Sequence, residues 1–297
     1  MVKVFAGSVR PDSVGVEFDD ERLIANAGLV LVATLSIRLG IEQLVDKTVS
    51  LGQRAGAAQP GRKVLSLIHA IAAGADSIDD TDVLRAGGTE ALLGHRAMAP
   101  STLGTFLRAF TFGHVRQLDR VLGEAIKRAW AAGAGPGASR LTTYGGRRLI
   151  VRRVHLHAQD EQTELFAYWR HFAFLTNRSE DMHTVDAEHR QHAEVELAIR
   201  DLKDQALAHF PSGQFNANAA WTVIACLAHN MVRWVGQLGL RDSTWRTART
   251  IRRWLIAMPG RLTRTARRFT LHLPARWPWQ AAFVEALSRI RALPAAA

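Results

Sequence analysis

Apolar residues recur at helical spacing through most of the chain, and the breaks between the runs divide it into elements. Behind the acids at 19–21, positions 23–45 are apolar-rich and predict one or two helices. Residues 50–62, SLGQRAGAAQPGR, have loop composition, and 64–73 predict a helix that stops near Gly74. The acid-rich DSIDDTD at 76–82 predicts a loop or a helix start in which Asp76, Asp79, Asp80 and Asp82 act as solvated caps. In APSTLGTFLRAF (99–110), Pro100 and Ser101 are placed to open a helix, with Leu103, Phe106, Leu107 and Phe110 following at helical spacing. Over 114–130 the stripe Val115, Leu118, Val121, Leu122, Ala125 and Ile126 predicts a second amphipathic helix. Joined near Gly113, the two form either a helix-turn-helix or a plain packed pair, and no base-reading signature accompanies them.

Helix cannot continue through Gly133, Gly135, Pro136 and Gly137, and the pattern changes beyond them. RRLIVRRVHLH (147–157) and RHFAFLTN (170–177) are β-prone, with the acidic QDEQTE (159–164) keeping their connection in water. After Thr184 the pattern is helical again, first through 189–204 and then over 216–235, and no internal repeat is present. The expected fold is mainly α with a small β component. It divides into a helical N-terminal region (1–132), a Gly/Ala-rich junction (133–143), a mixed region (144–240) and an Arg-rich helical C-terminal segment (241–297).

The chain has 297 residues, 47% of them hydrophobic, so it can bury a substantial core. Its net charge of +11 favours a polyanionic partner, nucleic acid first. Most of the imbalance sits in 241–297, where twelve arginines and no lysine face only Asp242 and Glu285. Trp245, Trp254, Trp277 and Trp279 lie among these arginines. That composition fits a surface gripping phosphates, and equally an amphipathic helix with tryptophans inward and arginines in solvent. A single cysteine, Cys226, allows neither a disulfide nor a thiolate metal cluster within one chain. The opening MVKVFAGSVRPDS lacks the long apolar core of a secretion signal, and the apolar run 27–37 is cut short by Arg38. A soluble cytoplasmic protein without a membrane partner is expected.

Candidate chemistry concentrates in HRQHAEVELAIRDLKD (189–204). Read as a helix, it places His189, His192, Glu196 and Lys203 along the border of an apolar face made by Val195, Ala198, Leu202 and Ala206. A border position is partly desolvated, which raises a carboxylate's pKa unless a cation or metal compensates. Glu196 is then either an edge residue paired to Lys203 or His192, or a functional group. A mononuclear zinc site on His189, His192 and Glu196 is a rival reading, although zinc helices usually space two histidines four apart and no third ligand outside this helix is evident.

The spacing His189-x2-His192-x3-Glu196-x6-Lys203 resembles the Tyr-x2-Arg-x3-Glu-x6-Lys signature of DDE-type bacterial insertion-sequence transposases, with histidines where that family has tyrosine and arginine. TYGGRRLIVRR (143–153), WRHFAFLTN (169–177), VELAIRDLK (195–203) and FNANAAWTVIACLAHNMVRW (215–234) are similar, in the same order, to the C-terminal half of such a transposase. The resemblance implies an RNase H-like α/β core in which two aspartates and one glutamate hold two divalent ions, usually Mg2+, for DNA cleavage and strand transfer. By that resemblance 144–240 is the C-terminal part of the core, Glu196 is the third catalytic acid and a metal ligand, and Lys203, His192 and His189 contact DNA at element ends. Arg200, Arg252 and Arg253 join them as candidate DNA contacts.

The family's two aspartates lie between the N-terminal helices and the Tyr-Gly-Gly segment, an interval that here contains no acid at all over 133–143. The resemblance therefore implies an internally shortened, catalytically incomplete transposase with a remnant core flanked by helical regions. Asp160, Glu161 and Glu164 are expected in a hairpin connection rather than at a metal. Expected partners are DNA and a second chain, as a homodimer or a hetero-oligomer with an intact transposase. A non-catalytic DNA-binding module derived from a transposase is the alternative.

Overall fold

A computed structural model of the protein describes residues 20–134, 148–155, 169–176, 178–190, 193–204, 206–240, 246–265 and 268–295. The opening segment, the junction at 135–143, the acidic connection at 159–164, His192 and Trp245 lie outside the described residues.

The apolar-rich stretch 23–45 divides into three elements. Strand β1 is Leu23–Ile24, followed by α1 (Leu29–Arg38) and α2 (Ile41–Thr48). The two helices part at Gly40, whose φ of 62° lies in the left-handed region open to glycine. Helix α3 (Pro60–Ala73) begins on proline and ends on Gly74, whose amide donates to the carbonyls of Ala70 and Ile71 at a φ of 115°. Lys63 on α3 is buried, and its Nζ donates to the carbonyls of Gly56 and Ala58, clamping the preceding loop onto the helix. A 3-10 segment, Asp79–Arg85, follows, with Asp80 Oδ2 accepting from the Ser77 hydroxyl at 2.8 Å and from the Ser77 amide at 3.1 Å. Of the four acids expected as caps, Asp80 caps this turn, while Asp82 pairs with Arg85 at 2.8 Å.

Helices α4 (Thr89–Leu93), α5 (Pro100–Arg108) and α6 (Phe112–Ala129) complete the N-terminal region. Thr111 and His114 form a reciprocal cap that starts α6, and Val115, Leu118, Val121 and Ala125 bury its apolar stripe. A π turn, Trp130–Ala134, ends the helix at Gly133, with φ 102°.

The β-prone runs pair as an antiparallel hairpin, β2 (Arg148–His155) with β3 (Trp169–Thr176), in register from Arg148 opposite Thr176 to His155 opposite Trp169. Helices α7 (Met182–Arg190), α8 (Ala193–Lys203) and α9 (Phe215–Gly239) follow. Then come α10 (Ala248–Ile251), which runs into a π turn (Arg252–Ile256), strands β4 (Gly260–Thr265) and β5 (Arg268–His272), and α11 (Gln280–Ala292).

Helix α9 is the axis of the core. It is apolar on most of its circumference, which requires neighbours on several sides, and it packs against α1, α3, α5, α6, α10 and α11. Trp221, Ile224, Ala225, Ala228, Met231 and Val235 are almost completely buried on it. The Trp221 indole donates to the Ala206 carbonyl at 2.6 Å, so its one polar atom is satisfied in the interior. One continuous cluster runs from Ile24 through α9 to Ile290, so residues before and after the junction share a single core.

The segment 241–297, read as helical, also holds strands. β4 lies between β1 and β5 in a three-stranded antiparallel sheet, with Leu23 opposite Arg261 and Ile24 opposite Gly260. Leu262 and Ile24 are buried while Arg261, Arg264 and Arg268 face outward. The arginine density of GRLTRT and RFTLH obscures a period-two alternation whose apolar partner lies at the other end of the chain.

Candidate nucleic-acid interface

The central contact of this region belongs to a residue that the sequence does not advertise. Asp201 on α8 is 3% exposed, and its Oδ2 accepts a hydrogen bond from the Ala248 amide at 2.7 Å. Beside it the Thr247 hydroxyl accepts from the Thr250 amide at 3.1 Å, so two side-chain oxygens occupy the start of α10. Asp204 adds an exposed ion pair to Arg249 at 3.9 Å. The C-terminal turn of α8 is thereby held against the first turn of α10.

With Asp201 on the buried side, Glu196, Arg200 and Lys203 share the outer face of α8, at spacings of four and three residues, and all three are exposed. The partial desolvation expected of Glu196 is therefore not found, and among the described residues no salt bridge joins it to Lys203. His189 is exposed near the end of α7, so it and Glu196 lie on separately described helices. Across the α8–α10 contact, Arg246 ahead of α10, Arg249 on it and Arg253 in its π turn recur at spacings of three and four.

Two adjacent arginines go different ways. Arg253 is exposed, with its guanidinium over the Trp279 ring at 5.9 Å. Arg252 is half-buried, and a Cβ on Gly74 would come within 3.3 Å of its Nη1. A cation at that place faces the carbonyl end of α3, where the helix dipole favours it. Burial pulls the Arg252 pKa down and neighbouring Arg249 adds to this, while Asp201 opposes both. On α9, burial pushes His229 down to about 4 against the pull of Asp201, so its imidazole is neutral at physiological pH.

The described tryptophans of the segment cluster together. Trp254 and Trp279 stack with centroids 5.3 Å apart and planes 14° from parallel, and Trp277 meets Trp279 edge-on at 5.6 Å. Arg246 lies over Trp254 at 5.1 Å, so each of the two stacked rings has an arginine against it. The Trp277 indole donates to the Trp254 carbonyl at 2.8 Å, tying the loop before α11 to the π turn. These three tryptophans are half-buried and two of them have arginines against their rings, but they lie in the π turn and in the loop before α11 rather than along one amphipathic helix.

The sequence model of the transposase DDE domain, group 1, matches residues 142–295. The chain belongs to this family. No curated protein and no solved structure matches the chain. All seven residues singled out from the sequence lie inside the transposase domain, and the arginine-rich segment is part of that domain rather than an appended tail. Divalent ions are the usual cofactors of such transposases. The described residues do not fit that requirement, because Glu196 is exposed and no three His, Cys, Asp or Glu side chains among them are grouped to hold an ion. Among the described residues, no helix is long and apolar enough to cross a membrane.

Asp201 escaped the sequence reading because its partner lies 47 residues away. Its one local signal is an acid placed between Ala198 and Leu202, inside the predicted apolar face.

Proposed function

We propose that this DDE-family chain binds duplex DNA through the basic row carried by α8 and α10. Arg200 and Lys203 contribute from α8, and Arg246, Arg249 and Arg253 from α10 and the residues flanking it. The observation that carries this reading is the 2.7 Å bond from the Ala248 amide to Asp201, which sets the two helix faces side by side. Guanidinium forks stacked on tryptophan lose little freedom when they engage phosphate oxygens. The binding is dominated by the DNA backbone, so its affinity falls linearly with salt on logarithmic axes. Fluorescence anisotropy with a labelled duplex over a salt series tests this, and an affinity independent of salt overturns it.

We further propose that the chain does not cleave DNA itself. Glu196 is the one acid matching the family signature, and the interval 133–143, where the resemblance calls for two aspartates, contains none. Intact relatives cut and rejoin DNA at element ends; this chain acts as a DNA-binding derivative of them. A strand-cleavage assay with Mg2+ or Mn2+ is expected to give no nicking. Metal-dependent nicking that disappears in Glu196→Gln overturns the proposal.

A further inference from the structure

Outside the residues matched to the transposase domain, three arginines of the N-terminal region converge on one cleft. Arg62 of α3, Arg85 at the end of the 3-10 segment and Arg96 ahead of α5 line a cavity of about 420 Å³ together with Gln59, Met98 and Thr102. No carboxylate lines it. Arg62 gives Nε and Nη2 to Glu42 at 2.8 and 2.7 Å, and Arg85 gives Nη1 to Asp82 at 2.8 Å. Each acid engages only part of its arginine's fork, and neither acid lines the cleft. Arg96 is exposed, and among the described residues no carboxylate pairs with it.

Cations on a common wall repel one another unless an anion joins them. A guanidinium fork matches the paired oxygens of a tetrahedral oxyanion better than a point cation does. The Thr102 hydroxyl supplies one more donor, and the lining has no aromatic ring on which a nucleobase could stack. We propose that this cleft binds a single phosphate group, carried either by a nucleic acid backbone or by free phosphate. The inference is independent of the α8–α10 row, because its residues lie on other elements and outside residues 142–295.

Arg96→Gln removes the unpaired cation from an exposed position. Arg116→Gln, at an exposed arginine of α6 paired with Asp119, is the control. Thermal unfolding of the full chain is compared in sodium phosphate and in sodium chloride at equal ionic strength. Phosphate is expected to raise the midpoint of the wild type and of Arg116→Gln but not of Arg96→Gln. In a second arm, the salt dependence of duplex binding identifies the source. A slope lower by about one in Arg96→Gln assigns a backbone phosphate, whereas an unchanged slope together with phosphate protection assigns free phosphate. Absence of both effects, or equal losses in the Arg116 control, overturns the proposal. Should the duplex fail to bind at all, the phosphate arm still decides.

Discussion

The carboxylate of Asp201 and the amide of Ala248, 47 residues apart, are joined by a buried hydrogen bond of 2.7 Å. An ionised acceptor on an otherwise orphaned helix-start N–H is among the stronger hydrogen bonds available to a protein. Its removal strands a buried donor and takes the nearest acid from Arg252. Asp201→Ala is therefore expected to lose about 2–3 kcal/mol of stability, read from urea unfolding midpoints. Duplex binding is expected to weaken in the same variant although Asp201 faces away from DNA. A loss below about 0.5 kcal/mol, the scale of an ordinary surface change, counts against this role.

Arg252 and Arg253 offer a sharper contrast, being neighbours with opposite surroundings. Arg253→Ala is expected to lower the salt slope of duplex binding by about one and to leave the fold intact. Arg252→Ala is expected to cost about 1–3 kcal/mol of stability through lost packing over Gly74, with the slope retained. Interchanged results for the two variants refute the assignment.

Two buried histidines set the acid limb of stability. Burial brings His69 down to about 3, with help from the charge of neighbouring His95, and His229 down to about 4. Both values lie below the 6.5 of the unfolded chain, so the unfolded state takes up these protons first as pH falls. Their contribution is complete above pH 6.5 and is lost progressively as pH drops towards 4. At about 1.4 kcal/mol per unit, each contributes on the order of 3 kcal/mol across that window. Unfolding midpoints measured from pH 7 to pH 4 are expected to fall, and to fall less steeply in His229→Leu. Identical profiles for the two proteins dismiss the histidine explanation.

At the crossing of α9 and α11, a Cβ added to Gly239 would stand 2.7 Å from the Cβ of Ala286. Helix backbones this close tolerate no extra methyl group. Gly239→Ala is expected to destabilise by about 1–3 kcal/mol through overpacking, and Ala286→Gly in the same chain is expected to restore part of it. A double-mutant cycle without coupling removes the crossing as the cause.

Much of this architecture is legible in local pattern. The stripe from Val115 to Ala125, the proline start and glycine stop of α3, the break near Gly133 and the β2–β3 pair all sit where neighbouring residues place them. The helical features depend on contacts within a few positions, which a periodicity records directly, and the two strands are marked by their own β-prone composition although their pairing spans the connection between them. The signature around Glu196 likewise pointed to the transposase family before any coordinates were needed.

Other features have no local record. Ile24 pairs with Gly260, so β1 exists only because β4 returns to it, and nothing near either residue announces the other. Composition marks the arginines of 241–297 as one basic class, yet Arg252 lies over Gly74 while Arg253 reaches solvent. Glu196 and Asp201 are acids of one short helix. Packing against α9 and α10 buries the second and exposes the first. Periodicity is a property of neighbours along the chain, whereas burial and capping depend on which distant segments arrive, and that choice is made when the core closes around α9.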